Sequence, residues 1–353
     1  MKRWQKILLC VLAAVIVLAA VVGIALGGRI ATVMSVKRVA AGIYTMNYVQ
    51  DYQLDKALRS ELDTEKKVEE FISKEIFFGH AINTNFDKYA CSAFLTMNEY
   101  DPENTTYLAG RNFDHYQTDT LIVRTKAKDS YETISTVALD MLGAGAPNSV
   151  DPMSLEGKIA MLAAPYLPLD GMNECGLNVS ILNVDGREEV HQNTGKPDLP
   201  ITLSVRLLLD RAANVGEAVD LLKEYDIHMS EGVSQHLFIA DTDGKAVVAE
   251  WHKGKLKVTE SPVCTNFLLS SKSVQEDPSG ICDRFDTITR YLAAHPENTP
   301  EEAMSLLEKV TIDEPDYRIV TEWSLVYHLN SFTLDIAVDR DYDHVFELSC
   351  GAF

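Results

Sequence analysis

Cationic side chains are scarce in this chain: 32 lysines and arginines stand against 52 aspartates and glutamates, a formal net charge of -20. A nucleic-acid partner is excluded, because phosphate binding needs a basic surface. The acidic excess favours solubility instead. Cysteine is sparse as well. The six cysteines include no C-x-x-C pair, which excludes zinc-knuckle and thioredoxin-type sites. The nine histidines contain no H-E-x-x-H. Asp241-x-Asp243-Gly244 lacks the distal glutamate of a calcium loop and reads as the turn of a hairpin, Leu237 to Asp241 with Ala246 to Trp251. No metal and no cofactor is expected.

What is present describes a globular protein with a sizeable core: 353 residues, 46% hydrophobic and 24% charged. Length alone allows two domains or one large sandwich. Lys2, Arg3 and Lys6 precede an uncharged apolar run from Ile7 to Gly27. A run of about 20 residues can span a bilayer, whereas a signal-peptide core is about 7 to 15. Residues 1–28 are therefore expected to be a signal anchor, contacting the membrane through residues 7–27. A signal peptide cut after Ala25-x-Gly27 is the alternative. Either places the rest outside the cytoplasm, membrane-anchored or secreted, although Arg29, Lys37 and Arg38 weaken the charge asymmetry.

Residues 29–90 read as a helical pro-segment. Asp63 or Thr64 can cap a helix whose Val68, Phe71, Ile72 and Ile76 recur at helical spacing, with Gly79 to end it. After Cys91 the period changes. Thr106 to Phe113, Leu121 to Thr125 and Glu132 to Leu139 read as a strand meander, and the Gly- and Pro-rich stretch from Gly143 to Leu169 as an irregular loop around a pocket. Helices follow from Pro200, from Gly216 to Tyr225, from Cys282, and from a Thr299 to Glu302 capping box. The chain closes in strands from Trp323 to Val338 and His344 to Leu348.

The chemistry centres on Cys91. At a chain start, a thiol titrating near about 8.5 would share a residue with an α-amine titrating near about 7.7 to 8, a nucleophile with its own proton acceptor. Arg111 is apt to favour the thiolate, and Asp114 to hold the amine. Two other readings stay open: a buried core thiol, and a papain-like pair of Cys91 with His115 or His236, without that family's local signature.

Cys91-Ser92, followed after a polar turn by Gly110-Arg111-Asn112-Phe113-Asp114, resembles the opening hairpin of the choloylglycine hydrolases, the linear amide C–N hydrolases. Bile salt hydrolases and penicillin V acylases belong to that family, with N-acylethanolamine acid amidase and acid ceramidase as relatives. All are N-terminal nucleophile hydrolases. Gly171-Met172-Asn173-Glu174-Cys175-Gly176-Leu177, the strand ending at Asn183, the Thr265-Asn266 pair and Cys282-Asp283-Arg284 resemble further stretches of it.

The resemblance implies an α+β fold, an αββα sandwich of two antiparallel sheets between helical layers over residues 91–353. It implies a cut between Ala90 and Cys91, oxyanion donors at the Asn183 N–H and the Asn266 side chain, and Arg284 over the nucleophile. It also implies that the segment before the cysteine stays associated. The substrate class would be a small-molecule N-acyl amide, with Phe78, Phe94, Met141, Leu142 and Met153 as candidate pocket residues. The short interval between Asn266 and Arg284 departs from bile salt hydrolases, which carry an assembly insertion there, and leaves bile-acid preference and oligomeric state open. The alternatives are a penicillin V acylase or bile salt hydrolase specialist, and a membrane-tethered acyl-amide binding protein without catalysis.

Overall fold

Among the described residues most strands fall into two facing sheets, and two short ones pair separately in parallel. The computed structural model describes residues 4–5, 11–13, 23, 26–80, 90–184, 190–230, 232–271, 274, 276–313 and 319–349. The anchor expected over 7–27 lies mostly outside these residues. Among the described residues, no helix is long and apolar enough to cross a membrane.

The strands in chain order are β1 (Lys37–Ala40), β2 (Ile43–Tyr48), β3 (Ala90–Glu99), β4 (Thr106–His115), β5 (Thr120–Thr125), β6 (Thr133–Ala138), β7 (Asp170–Asn173), β8 (Asn178–Asn183) and β9 (Asp198–Pro200). Then follow β10 (Asp226–His228), β11 (Gln235–Ala240), β12 (Ala246–His252), β13 (Lys255–Glu260), β14 (Val263–Cys264), β15 (Val320–His328), β16 (Thr333–Val338) and β17 (Phe346–Ser349). The larger sheet has nine strands in the order β1-β2-β5-β6-β7-β8-β11-β12-β13. It is antiparallel except where β2 runs beside β5. The smaller sheet, β14-β3-β4-β15-β16-β17, has six strands and is antiparallel throughout.

Helices cover the outer faces. Ile201–Arg211 lies on β7 and β8, Val215–Leu222 on β11 and β12, Asp283–Ala294 on β14 and β3, and Pro300–Lys309 on β4 and β15. Between the layers β3 approaches β8. This is the expected αββα arrangement. Every residue of β7 and β8 is buried, as strands covered on both faces must be. Local signals agree: the Thr64 side chain caps the helix Glu65–Ile76, and Thr299 with Glu302 forms the capping box of Pro300–Lys309.

Two expectations are corrected. The segment before Cys91 is not all helix, because β1 and β2 lie within it and extend the large sheet. Ile43 and Met46 are fully buried there, so β2 is an interior strand. The stretch from Gly143 to Leu169 is not an open loop. It holds a helix at Leu155–Ala160 and a 3-10 turn at Met161–Tyr166 whose six residues are all buried. That turn seats the leading segment: Tyr48 Oη donates to Leu162 O at 2.8 Å, Tyr166 Oη donates to Tyr52 O, and Phe71 packs edge-on against Tyr166.

The first hairpin fixes the register on which the site depends. β3 and β4 pair Ala90 with Asp114, Cys91 with Phe113 and Ala93 with Arg111. Gly110 pairs with Phe94, whose ring lies across it so closely that a Cβ on Gly110 would stand 2.3 Å from Cζ. Phe94 is fully buried and therefore core, whereas Phe78 is exposed with the Arg29 guanidinium 4.2 Å from its ring centroid. Gly110→Ala is expected to cost about 1 to 3 kcal/mol through overpacking, read as a lowered Tm in thermal unfolding. An unchanged Tm would contradict this packing.

Candidate active site

The smaller sheet delivers Cys91 at the second residue of β3, fully buried. The chain runs unbroken through Ala90, so Cys91 N is a peptide N–H here. Its partner is Asn266 Oδ1 at 3.1 Å. Asn266 stands just past β14, the neighbour of β3. The same Oδ1 accepts from Arg284 Nη2 at 2.7 Å, and Asn266 Nδ2 donates to Asn183 O at 2.8 Å. Two donors on one side and a carbonyl on the other fix which end of the amide is oxygen.

Asn183 closes β8, and its N–H follows the ladder's alternation. Ile181 N–H donates to Leu169 O on the β7 side, while Val184 N–H donates to Ser234 O on the β11 side. By that alternation the Asn183 N–H turns to the β7 side beyond Leu169.

Two arginines bracket Cys91, each tied to a carboxylate. Arg111 Nη2 donates to Cys91 Sγ at 3.3 Å, and its Nε lies 2.5 Å from Asp170 Oδ2. Arg284 Nη1 donates to Cys91 O at 2.8 Å, to Ser92 Oγ at 2.9 Å and to Asp114 Oδ2 at 3.2 Å. Asp114 is completed by Thr321 Oγ1, which donates to its Oδ1 at 2.6 Å. Of the residues singled out in the sequence, Arg111, Asn266 and Arg284 contact Cys91 with their side chains, while the Asp114 carboxylate and Asn183 join the network through Arg284 and Asn266.

The details differ from expectation in three ways. First, burial pushes the Cys91 thiol up to about 12, outweighing the lowering effect of Arg111 and Arg284, so in the uncut chain the sulfur is a neutral thiol. Second, the Cys91 nitrogen meets Asn266, with the Asp114 carboxylate tied to Arg284 and the Asp114 backbone hydrogen-bonded to the sulfur. A peptide nitrogen has one hydrogen to give, and Asn266 takes it. Third, Cys91 Sγ accepts from an arginine, and the sulfur that meets a histidine belongs to Cys264, 3.3 Å from His236 Nε2. His115 pairs with Asp140 at 3.1 Å. That removes the support for a papain-like pair.

Asp170 is the partner that sequence reading missed. Fully buried, it accepts from Thr136 Oγ1 at 2.6 Å and from Tyr327 Oη, and it anchors the far end of Arg111. It stands at the head of the Gly171 to Leu177 stretch, and a buried carboxylate demands such a cation. Asn173 is structural: its Oδ1 accepts from Cys175 N and Leu177 N, and its Nδ2 donates to Leu209 O and Ala212 O. Among the described residues no histidine, cysteine and carboxylate group could hold a metal ion, and Cys91, Cys175, Cys264 and Cys282 are free thiols.

The family model described as acyl-coenzyme A:6-aminopenicillanic acid acyl-transferase matches residues 163–340. The chain belongs to that family. It is an enzyme of linear carbon–nitrogen amide bonds, akin to the choloylglycine hydrolases. The matched stretch of this acyl-transferase family member carries Asn183, Asn266 and Arg284, while Cys91, Arg111 and Asp114 precede it. Its fold is similar to that of a mutant conjugated bile acid hydrolase from Clostridium perfringens, at 17% identity and a TM-score of 0.56, covering 75% of this chain and 93% of that one. It is also similar to penicillin V acylase from Agrobacterium tumefaciens, at 19% identity and a TM-score of 0.53, covering 74% and 87%. No curated protein matches the sequence.

The raised thiol carries a testable consequence. A group whose folded pKa lies above its unfolded value stabilises the fold below the unfolded value and loses that contribution as pH rises toward the folded one. In the uncut chain at about pH 8, close to the ordinary thiol value, Cys91 is expected to resist iodoacetamide while partly exposed Cys175 and Cys282 react. Peptide mass mapping reads the pattern, and rapid labelling of Cys91 in the folded, uncut chain would contradict it.

Proposed function

We propose that this enzyme hydrolyses the amide bond of small N-acyl compounds, with Cys91 as nucleophile once the peptide bond between Ala90 and Cys91 is cut. The observation that supports the reading best is that the nitrogen, the carbonyl and the sulfur of Cys91 are each met by a different polar side chain, from Asn266, Arg284 and Arg111. A structural thiol needs none of these. A cut would turn the single N–H into an α-amine with further hydrogens and open the buried sulfur to a substrate.

The thiol proton passes to the α-amine, and the thiolate, beside Arg111, adds to the substrate carbonyl carbon. Negative charge moves to the carbonyl oxygen, where the Asn183 N–H and Asn266 Nδ2 are the donors. The tetrahedral adduct collapses to a thioester as the α-ammonium gives its proton to the leaving nitrogen. Water, deprotonated by the amine, attacks the thioester, releasing the carboxylic acid and restoring the thiol. Asp114 and Arg284 hold the start of β3 so that amine and sulfur face the same carbon.

The description of the matching family favours a second reading, acyl transfer, in which an amine in place of water attacks the thioester. Adding a free amine during turnover separates the two, because transfer yields a new amide at the expense of the acid. The apolar run after Lys2, Arg3 and Lys6 supports placement of the catalytic domain outside the cytoplasm, anchored or secreted.

Mass spectrometry of the active protein is expected to show a chain beginning at Cys91, and an active species intact at 39.2 kDa would overturn the reading. Cys91→Ala is expected to abolish turnover of an N-acyl amide panel. Asn266→Ala is expected to lower kcat by about a hundredfold to a thousandfold, the usual cost of losing one oxyanion donor. Binding of the panel without turnover, by an uncut chain, would instead favour a binding protein.

A further inference from the structure

A second polar cluster lies between the sheets, and the reaction scheme leaves it unused. His236 on β11 and Glu250 on β12 are both fully buried. His236 Nδ1 stands 3.1 Å from Glu250 Oε1, and His236 Nε2 stands 2.8 Å from Thr265 O. Glu250 in turn accepts from Leu269 N at 2.8 Å and from Ser270 N at 2.7 Å. The pair therefore holds backbone atoms on both sides of Asn266: the carbonyl of the residue before it, and the amides of the third and fourth residues after it.

Hydrogen bookkeeping fixes the protonation. A carbonyl oxygen only accepts, so His236 Nε2 carries a hydrogen. Glu250, held in its ionised form by the two backbone N–H groups and His236, can only accept, so His236 Nδ1 carries one too. The ring is an imidazolium beside a carboxylate. Burial works against that charge, but Cys264 and Glu250 outweigh it and push the ring's pKa up to about 10. Glu250 is held below its ordinary value against the effect of burial by His236 and the amides it accepts. Apolar side chains would fill the space without the desolvation cost of a buried ion pair. What they could not do is satisfy three buried backbone groups of a turn that belongs to neither sheet.

We propose that His236 and Glu250 are positioning residues, a buried clamp that reaches from the large sheet to the turn after β14 and sets Asn266 against Cys91 and Asn183. The role rests on the reading of Asn266 as an oxyanion donor. Asn266 Nδ2 must stay in register with the Asn183 backbone, which belongs to the large sheet, although the turn bearing Asn266 follows the edge strand of the smaller one. The clamp ties that turn to β11, which pairs directly with β8 and places Gln235 opposite Asn183. Both proposed donors are thereby referred to the same two neighbouring strands.

The test uses the protein expressed from the full chain with His236→Gln, Glu250→Gln and Asn266→Ala, singly and combined, in two measurements, with turnover normalised to the fraction cut before Cys91 by mass spectrometry. In steady-state hydrolysis of the N-acyl amide panel, His236→Gln and Glu250→Gln are each expected to lower kcat by roughly tenfold to a hundredfold, short of losing the donor itself, with KM within about twofold. Each double variant with Asn266→Ala is expected to be no slower than Asn266→Ala alone. Multiplying losses, or an effect confined to KM, would overturn the clamp. Amide hydrogen exchange, which needs no substrate, is expected to be at least tenfold faster at Leu269 and Ser270 in both single variants. Unchanged exchange would overturn it too. If the wild type turns over no member of the panel, the hydrolase reading falls and the exchange result alone decides the clamp.

Discussion

The side chain of Asn266 crosses the gap between the two sheets with its polar atoms committed in opposite directions. Its oxygen receives the Cys91 N–H of the small sheet and a guanidinium from the covering helix, and its nitrogen gives to the Asn183 carbonyl of the large sheet. A rotation of this one amide would set donor against donor on one side and acceptor against acceptor on the other. The relative placement of β3, β8 and the helix Asp283–Ala294 is thus written into three hydrogen bonds of a single carboxamide. In a dry interior each unmade bond carries its full desolvation penalty.

Charge around the cysteine is arranged in two chains that converge on it. Asp170 holds Arg111, which touches the sulfur, and Asp114 holds Arg284, which touches the carbonyl. Each arginine is pinned by a carboxylate, so neither can swing away. Each carboxylate in turn dilutes the positive field at the thiol. With the site closed, the loss of hydration wins over both cations. Reactivity is therefore governed by access of water and substrate more than by the count of positive charges nearby.

Much of this was legible from sequence because the site residues fall where local pattern breaks. Cys91 opens a strand, Asn183 and Asn266 follow strand ends, and Arg284 sits in the first turn of a helix, so order and placement marked them together. The hairpin strands, the Thr64 cap and the capping box at Thr299 were equally plain, since each is decided by neighbours within a few residues. Asp170 was not legible, because its partners Arg111, Thr136 and Tyr327 come from three other strands. His236 and Glu250 were hidden for the same reason: their meaning lies in a turn from the other sheet. The strands β1 and β2 escaped because β1 is a short, exposed edge strand and β2, buried along nearly all its length, lacks the alternation that marks a half-buried one.

The parallel seam between β2 and β5 carries a consequence for the matured protein. If the backbone is severed before Cys91, two strands of one continuous sheet belong to a separate polypeptide that remains bolted in place by Tyr48, Tyr52 and Phe71. The unsevered chain assembles that sheet in a first-order process, whereas the two-piece molecule, once denatured, must find its missing edge by collision. Renaturation after maturation then becomes second order and dilution-sensitive, and the fold is recovered readily only before the cut.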